Sequence, residues 1–192
     1  MERFSLSDLS LAAKTFWPLF VGLAFHGLCI RFGWLKSLAV PLDRGAKFRG
    51  RPLFGANKTY RGVAAVALGS AVGYAVEALV PGARPEPLAS SSVLGAAVLG
   101  LAIGAAAMLS ELPNSFAKRQ FGIAPGAPGR GAAASVFYVV DQADFLLGAW
   151  LVVLAWVRPT ISLVVWSVAF VVVVHQLISL AGRALGMRDS AR

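Results

Sequence analysis

Three carboxylates, Glu111, Asp141 and Asp144, stand inside or at the edge of apolar stretches of this 192-residue chain. A carboxylate at the centre of a membrane helix costs about 3 kcal/mol unless it is paired, metal-bound or hydrated, so each one calls for a partner. Asp141 and Asp144 are three residues apart. On a helix that spacing puts both on one face, with Cβ atoms about 5–6 Å apart. Two like charges so close repel, and a divalent cation or a strong base relieves them. The residues alone leave two readings open. Either the acids pair with Arg119 or Arg61 and lock helices together, or they hold a hard metal ion. A fourth acid, Glu77, falls near the far end of its apolar stretch and reads as an interfacial carboxylate.

Two basic, glycine-bearing segments accompany the acids. The first, PLDRGAKFRGRPLFGANKTYRG, runs over 41–62. Asn57, Lys58, Thr59 and Arg61 offer amide, ammonium, hydroxyl and guanidinium donors suited to phosphate oxygens, and the glycines permit close backbone approach. The order of residues is not that of a Walker loop. A solvated basic loop that only sets membrane orientation is the competing explanation. The second, ELPNSFAKRQFGIAPGAPGRG, runs over 111–131. Pro113 is read as following a helix end, Lys118 and Arg119 form a basic pair, and Pro125, Gly126, Pro128 and Gly129 make a turn-rich tip, either a lid or a plain linker. Acids that hold a hard cation beside bases that hold phosphate suit phosphoryl or nucleotidyl transfer.

The elements that must position these residues are membrane helices. The chain is 57% hydrophobic and 14% charged, with a mean hydropathy of +0.70, more apolar surface than a soluble domain of this length can bury. Five stretches are long enough to cross a bilayer, at about 15–38, 62–80, 91–112, 133–157 and 159–180. The expected fold is an all-α membrane protein, one integral domain over 1–192. Stretches two and three are rich in Gly and Ala and should pack centrally, whereas the Val-, Phe- and Trp-rich fifth suits a lipid-facing position. A short amphipathic helix over 1–14 is expected along the outer interface.

The net charge of +9 suits orientation, anionic lipid headgroups or a phosphorylated ligand, with nucleic acid a weak choice. Six Lys and Arg lie in 39–61, three in 112–134 and three in the tail, against four on the other side. That asymmetry puts the two long connections and the tail in the cytoplasm and the amino end outside, which five crossings satisfy. No cleavable signal peptide is expected. The single cysteine, Cys29, excludes an intramolecular disulfide, and it, His26 and His175 read as packing residues.

At the two basic segments the sequence resembles the CDP-archaeol synthase family, related to phosphatidate cytidylyltransferases. The matching pattern is Pro41-Leu42-Asp43 with Phe48-Arg49-Gly50, then Phe54 through Gly62, then Glu111 with Asn114-Ser115-Phe116 and Lys118-Arg119, and last Asp141-Gln142-Ala143-Asp144 with Gly148. Where the family commonly has Gly-Asp, this chain has Ser110-Glu111. The resemblance implies five membrane helices with an outside amino end, and transfer of CMP from CTP to a membrane lipid phosphate with Mg²⁺ and release of pyrophosphate. It further implies Asp141, Asp144 and Glu111 as metal ligands, and Lys58, Arg61, Lys118 and Arg119 as phosphate clamps. Arg49, Asn57, Thr59, Asn114 and Ser115 become substrate contacts. The lipid stays open, isoprenoid ether, another ether or diacyl, and the Ala-rich, basic chain suits a bacterial homologue acting on any of the three. A transporter or binding protein for a phosphorylated lipid, and a helical scaffold, are the competing functions.

Overall fold

The computed structural model describes residues 5–88, 92–125, 127 and 132–184. Five helices carry the fold: α1 (Leu6–Arg31), α2 (Tyr60–Leu79), α3 (Val93–Gln120), α4 (Ala132–Val153) and α5 (Ile161–Ala184). Within the described residues α1, α2, α3 and the Ile161–Ile178 part of α5 are each long and apolar enough to cross a membrane, and α4 contributes the apolar run Ala143–Val153. Large apolar side chains such as Leu94, Leu151 and Ile161 stay exposed on the outer surface, where lipid rather than water covers them.

The starts of α1, α2, α3 and α5 each have a side-chain cap, the last from Thr160, whose hydroxyl accepts from the Leu163 N–H at 3.0 Å. The Ser5, Thr59 and Ser92 hydroxyls accept from the N–H of Ser7, Gly62 and Gly95 at 3.2, 3.1 and 3.1 Å. The elements differ from the sequence expectation at several ends. Helix α1 begins at Leu6, nine residues before 15, so 6–14 is not a separate interfacial helix. The cap at Ser5 and Asp8 in the first turn start it there, and Pro18 is accommodated inside it. Its C-terminus comes at Arg31, followed by turns and a 3₁₀ segment, Lys36–Leu38. Helix α4 gives way to turns after Val153 rather than at 157.

The last difference matters most for function: α3 does not stop before Pro113 but runs through it to Gln120. Proline removes one backbone hydrogen bond, a loss membrane helices tolerate when neighbouring helices hold the turn. The helix stops at a Schellman motif: Gly122, with φ +75°, donates to Arg119 O at 3.0 Å, and Ile123 donates to Lys118 O at 2.9 Å. Residues 111, 114, 115 and 118 therefore share one helix and one face.

Small residues set the spacing of the helices. A Cβ on Gly104 of α3 would lie 2.8 Å from Ala67 Cα in α2, and one on Gly148 of α4 would overlap the Ala106 carbonyl and the Ser110 hydroxyl of α3. Ser110 Oγ also donates to Asp144 O at 2.6 Å, which ties α4 to α3 at the depth of the acids. The apolar core draws on all five helices, with Val66 and Tyr74 of α2 and Leu99 and Ile103 of α3 in it, and Phe16 meets Trp150 and Phe20 meets Phe170 at centroid distances of 5.4 and 5.9 Å.

The connection between α1 and α2 is more ordered than its glycines suggest. β1 (Lys47–Phe48) and β2 (Arg51–Pro52) form an antiparallel hairpin whose two turn residues, Arg49 and Gly50, both have positive φ, the backbone that a two-residue hairpin requires. Phe48 packs on Phe116 of α3, and Arg51 donates to the Gln120 carbonyl.

Candidate functional site

The capped start of α2, the last turns of α3 and the middle of α4 meet at one end of the bundle and enclose a cleft of about 430 Å³. That volume lies in the range of small-molecule sites, roughly 300–1,000 Å³. Asn57, Lys58, Glu111, Asn114, Ser115, Lys118, Arg119, Asp141 and Asp144 line it together with Ala127. These are nine of the twelve residues singled out in the sequence.

Asn114 is the centre of its polar network. Its Nδ2 donates to Asp141 Oδ1 at 2.6 Å and to Asp144 Oδ2 at 2.8 Å, so oxygens of two carboxylates sit around one nitrogen. Asp144 is buried, and its Oδ1 also accepts from the Phe145 N–H at 2.7 Å. Asp141 is more open and forms an ion pair with Lys118, whose ammonium lies 5.5 Å from the Phe137 ring centroid. Glu111 forms an ion pair with Lys58, joining α3 to the foot of α2. Among the described residues, buried Asn114 Oδ1 and Arg119 Nη1 have no hydrogen-bond partner, an unusual state for polar atoms out of water and one that a ligand satisfies.

Three singled-out residues are not brought to this cleft. Thr59 uses its hydroxyl to cap α2. Arg49 occupies the hairpin turn, its guanidinium 5.3 Å from the Phe48 ring centroid. Arg61, one residue into α2, is outside the cleft lining, its Nε buried and its charge near enough to act on His26 and Cys29. Glu111 reaches the cleft, but Lys58 takes its carboxylate, and among the described residues no three acids converge as a metal cluster. Asn114 joins the two aspartates, and Glu111 lines the same cleft beside them. The turn-rich tip is described only at Pro125 and Ala127; Gly126, Pro128 and Gly129 lie outside the described residues, as do Arg188 and Arg192 of the tail.

Two residues given no role in the site by the sequence reading matter here. Asp43 organises the first connection: its Oδ2 accepts from Phe54 and Gly55 and its Oδ1 from Gly45, all at 3.0 Å. Burial works against its charge, yet these N–H groups prevail and hold the carboxyl below its ordinary value. The loop folded around Asp43 brings Gly55 against Pro125 and the Arg119 side chain. His175 of α5 lines a narrow cleft with Phe20, Leu23, Phe145 and Val171 that opens on Glu111 and Asp141 from the apolar side. Spacing in α5 gives no hint of that role, because only the tertiary packing brings His175 to the acids.

Residues 19–191 match the family model for CarS-like proteins, described as CDP-archaeol synthase. The chain is 29% identical over 183 residues to the CDP-archaeol synthase of Pyrobaculum arsenaticum, covering 94% of this chain and 97% of that one. It is 37% identical over 163 residues to the CDP-archaeol synthase of Halobacterium salinarum, covering 78% and 81%. A solved structure described as an intramembrane enzyme for archaeal membrane lipids biosynthesis superposes with a TM-score of 0.64 at 27% identity, covering 88% of this chain and 92% of that one.

Proposed function

We propose a reaction for this cleft from one premise: the chain belongs to the CDP-archaeol synthase family. It is a membrane-embedded, CTP-dependent cytidylyltransferase acting on a lipid phosphate. In our reading, an oxygen of the lipid phosphate attacks the α-phosphorus of CTP, the bond to the β-phosphate oxygen breaks, and pyrophosphate leaves. The attacking oxygen is already ionised, so the burden falls on alignment and charge neutralisation rather than on a general base.

The observation that carries this assignment is the balance of charge in the cleft: Lys58, Lys118 and Arg119 against Glu111, Asp141 and Asp144. A triphosphate brings negative charge that this balance does not meet. The oxygen-rich pair Asp141 and Asp144, gathered around Asn114, fits a hard divalent cation, and Mg²⁺ is the ion we assign to it. When bound, the ion supplies neutralisation of the phosphate oxygens. Lys118 and Arg119, about one turn beyond Asn114 on α3, clamp phosphate, Arg119 Nη1 being a donor without a partner among the described residues. Lys58 does the same from the loop just ahead of α2, with Glu111 as the group that orients it. Asn57 and Ser115 contact the nucleotide. Thr59 acts by capping α2, and Arg49 and Arg61 act on the surrounding fold.

The acceptor lipid comes from the apolar side, along the cleft of Phe20, Leu23, Phe145, Val171 and His175, which meets the nucleotide cleft at Glu111 and Asp141. We assign the cleft, both basic connections and the tail to the cytoplasmic side and the amino end to the outside, as the Lys and Arg asymmetry requires. Glu77, seventeen residues along α2 from Tyr60 and so remote from the cleft, is buried rather than interfacial and accepts from Trp17 Nε1 at 2.9 Å. The purified chain, given Mg²⁺, labelled CTP and a panel of ether and diacyl lipid phosphates, should release pyrophosphate and form a CDP-lipid. Full activity after Asp141→Asn with Asp144→Asn would reject the metal assignment.

A further inference from the structure

A second groove lies on the α2–α3 seam, on the face turned toward lipid. Its floor is made of Ala64, Ala67 and Ala105, and its walls of Leu68, Leu101 and Leu109. Short side chains between long ones leave a channel, and from Tyr60 to Leu68 it follows α2 for about 12 Å. At its upper end Leu38 and Tyr60 also line a shallower depression, shared with Ser37, Val40, Pro41 and Arg44. Groove and depression thus form one continuous surface, apolar below and polar at the rim.

Arg44 is the one charged residue among those described as lining either part. A turn closed by its N–H to Pro41 O at 3.0 Å holds it, and its guanidinium lies 5.6 Å from the Tyr60 ring centroid. Among the described residues it forms no ion pair, and the neighbouring Asp43 is committed to backbone N–H groups. A single exposed cation above an apolar channel complements one negative charge attached to one long chain.

We propose that this surface binds one anionic phospholipid of the bilayer, its phosphodiester on Arg44 and one chain along the α2–α3 seam. The charge selects the occupant. A phosphodiester carries one negative charge and is matched by one guanidinium, whereas the doubly ionised phosphomonoester of an acceptor lipid matches the several cations of the catalytic cleft. The site is linked to that cleft through backbone: Leu42 N donates to Lys58 O at 2.8 Å, and Tyr60 N donates to Val40 O at 3.1 Å. A lipid seated on the rim therefore steadies the segment that carries Lys58, a consequence that rests on the role proposed for Lys58; the binding itself does not.

Native mass spectrometry of the full delipidated chain with dioleoyl phosphatidylglycerol, phosphatidylcholine or phosphatidate reads binding without turnover. We expect one molecule of phosphatidylglycerol held about fivefold more tightly than phosphatidylcholine, the preference one basic residue confers near a headgroup. Arg44→Gln should erase the preference, and Ala64→Leu or Ala105→Leu, which fill the channel, should weaken both lipids. Equal retention of the two lipids by the wild type, or an undiminished preference in Arg44→Gln, overturns the proposal. So does displacement of phosphatidylglycerol by phosphatidate at equal concentration, which would make the groove part of the acceptor route.

Discussion

Replacing Asn114 with alanine removes the donor shared by Asp141 and Asp144. A hydrogen bond to a charged group contributes roughly 1.5–3 kcal/mol, and losing the partner of a buried charge exposes the full desolvation cost. The two aspartates do not suffer equally. The Asp141 side chain is 44% exposed and recovers hydration, so its share largely cancels, while Asp144 is 6% exposed and bears the loss. The net penalty is then about 1.5–3 kcal/mol, which corresponds to roughly a 10- to 100-fold fall in kcat/KM for CTP. Pyrophosphate release at saturating lipid phosphate measures it, with thermal unfolding in parallel to separate loss of fold from loss of site. Asn114→Ala within twofold of the wild type in kcat/KM, with unchanged unfolding, would refute the bridging role.

Lys58→Ala leaves the 20%-exposed Glu111 carboxylate without its cation and removes a phosphate donor, so KM for CTP should rise about tenfold, read from initial rates. Gly148→Ala drives a methyl into the Ala106 carbonyl and the Ser110 hydroxyl; forcing α3 and α4 apart should cost about 1–3 kcal/mol, seen as a lower unfolding temperature in detergent. Asp43 has a folded-state pKa below its ordinary value of 3.8, so its contribution is fully present above that value and is lost as pH falls through the lower folded pKa. Hydrogen-exchange protection of Phe54 and Gly55, corrected for intrinsic rate, should hold down to about pH 4 and drop below it. In Asp43→Asn that protection should already be weak at neutral pH.

The membrane class and the placement of most of the cleft's residues were legible because they depend on signals that tertiary structure does not rewrite: long apolar runs, and acids three residues apart. What was missed follows from physical causes. Pro113 looked like a helix stop, and in water it would be one, but in a bundle the turn is held by neighbouring α4. Had the helix been extended through it, the spacing 111, 114, 115, 118 would have shown one polar face. Thr59 looked like a phosphate contact because a hydroxyl at a helix start is chemically ambiguous; the cap it forms with Gly62 N–H is the local alternative. Arg49 sits in a loop rich in bases, where composition is informative and position is not, since the turn at 49–50 directs it away from the cleft. Asp43 and His175 act through contacts distant in sequence, for which spacing carries no signal.

Binding of Mn²⁺ to the purified chain, followed by electron paramagnetic resonance with and without CTP, tests the central claim most directly, that two aspartates from α4, Lys58 ahead of α2 and the bases of α3 form one cation and nucleotide pocket. The account expects a bound ion whose affinity rises with CTP, and loss of both the ion and CTP binding when Asp141 and Asp144 are changed to asparagine together. Unchanged Mn²⁺ and CTP binding in that double variant would contradict it.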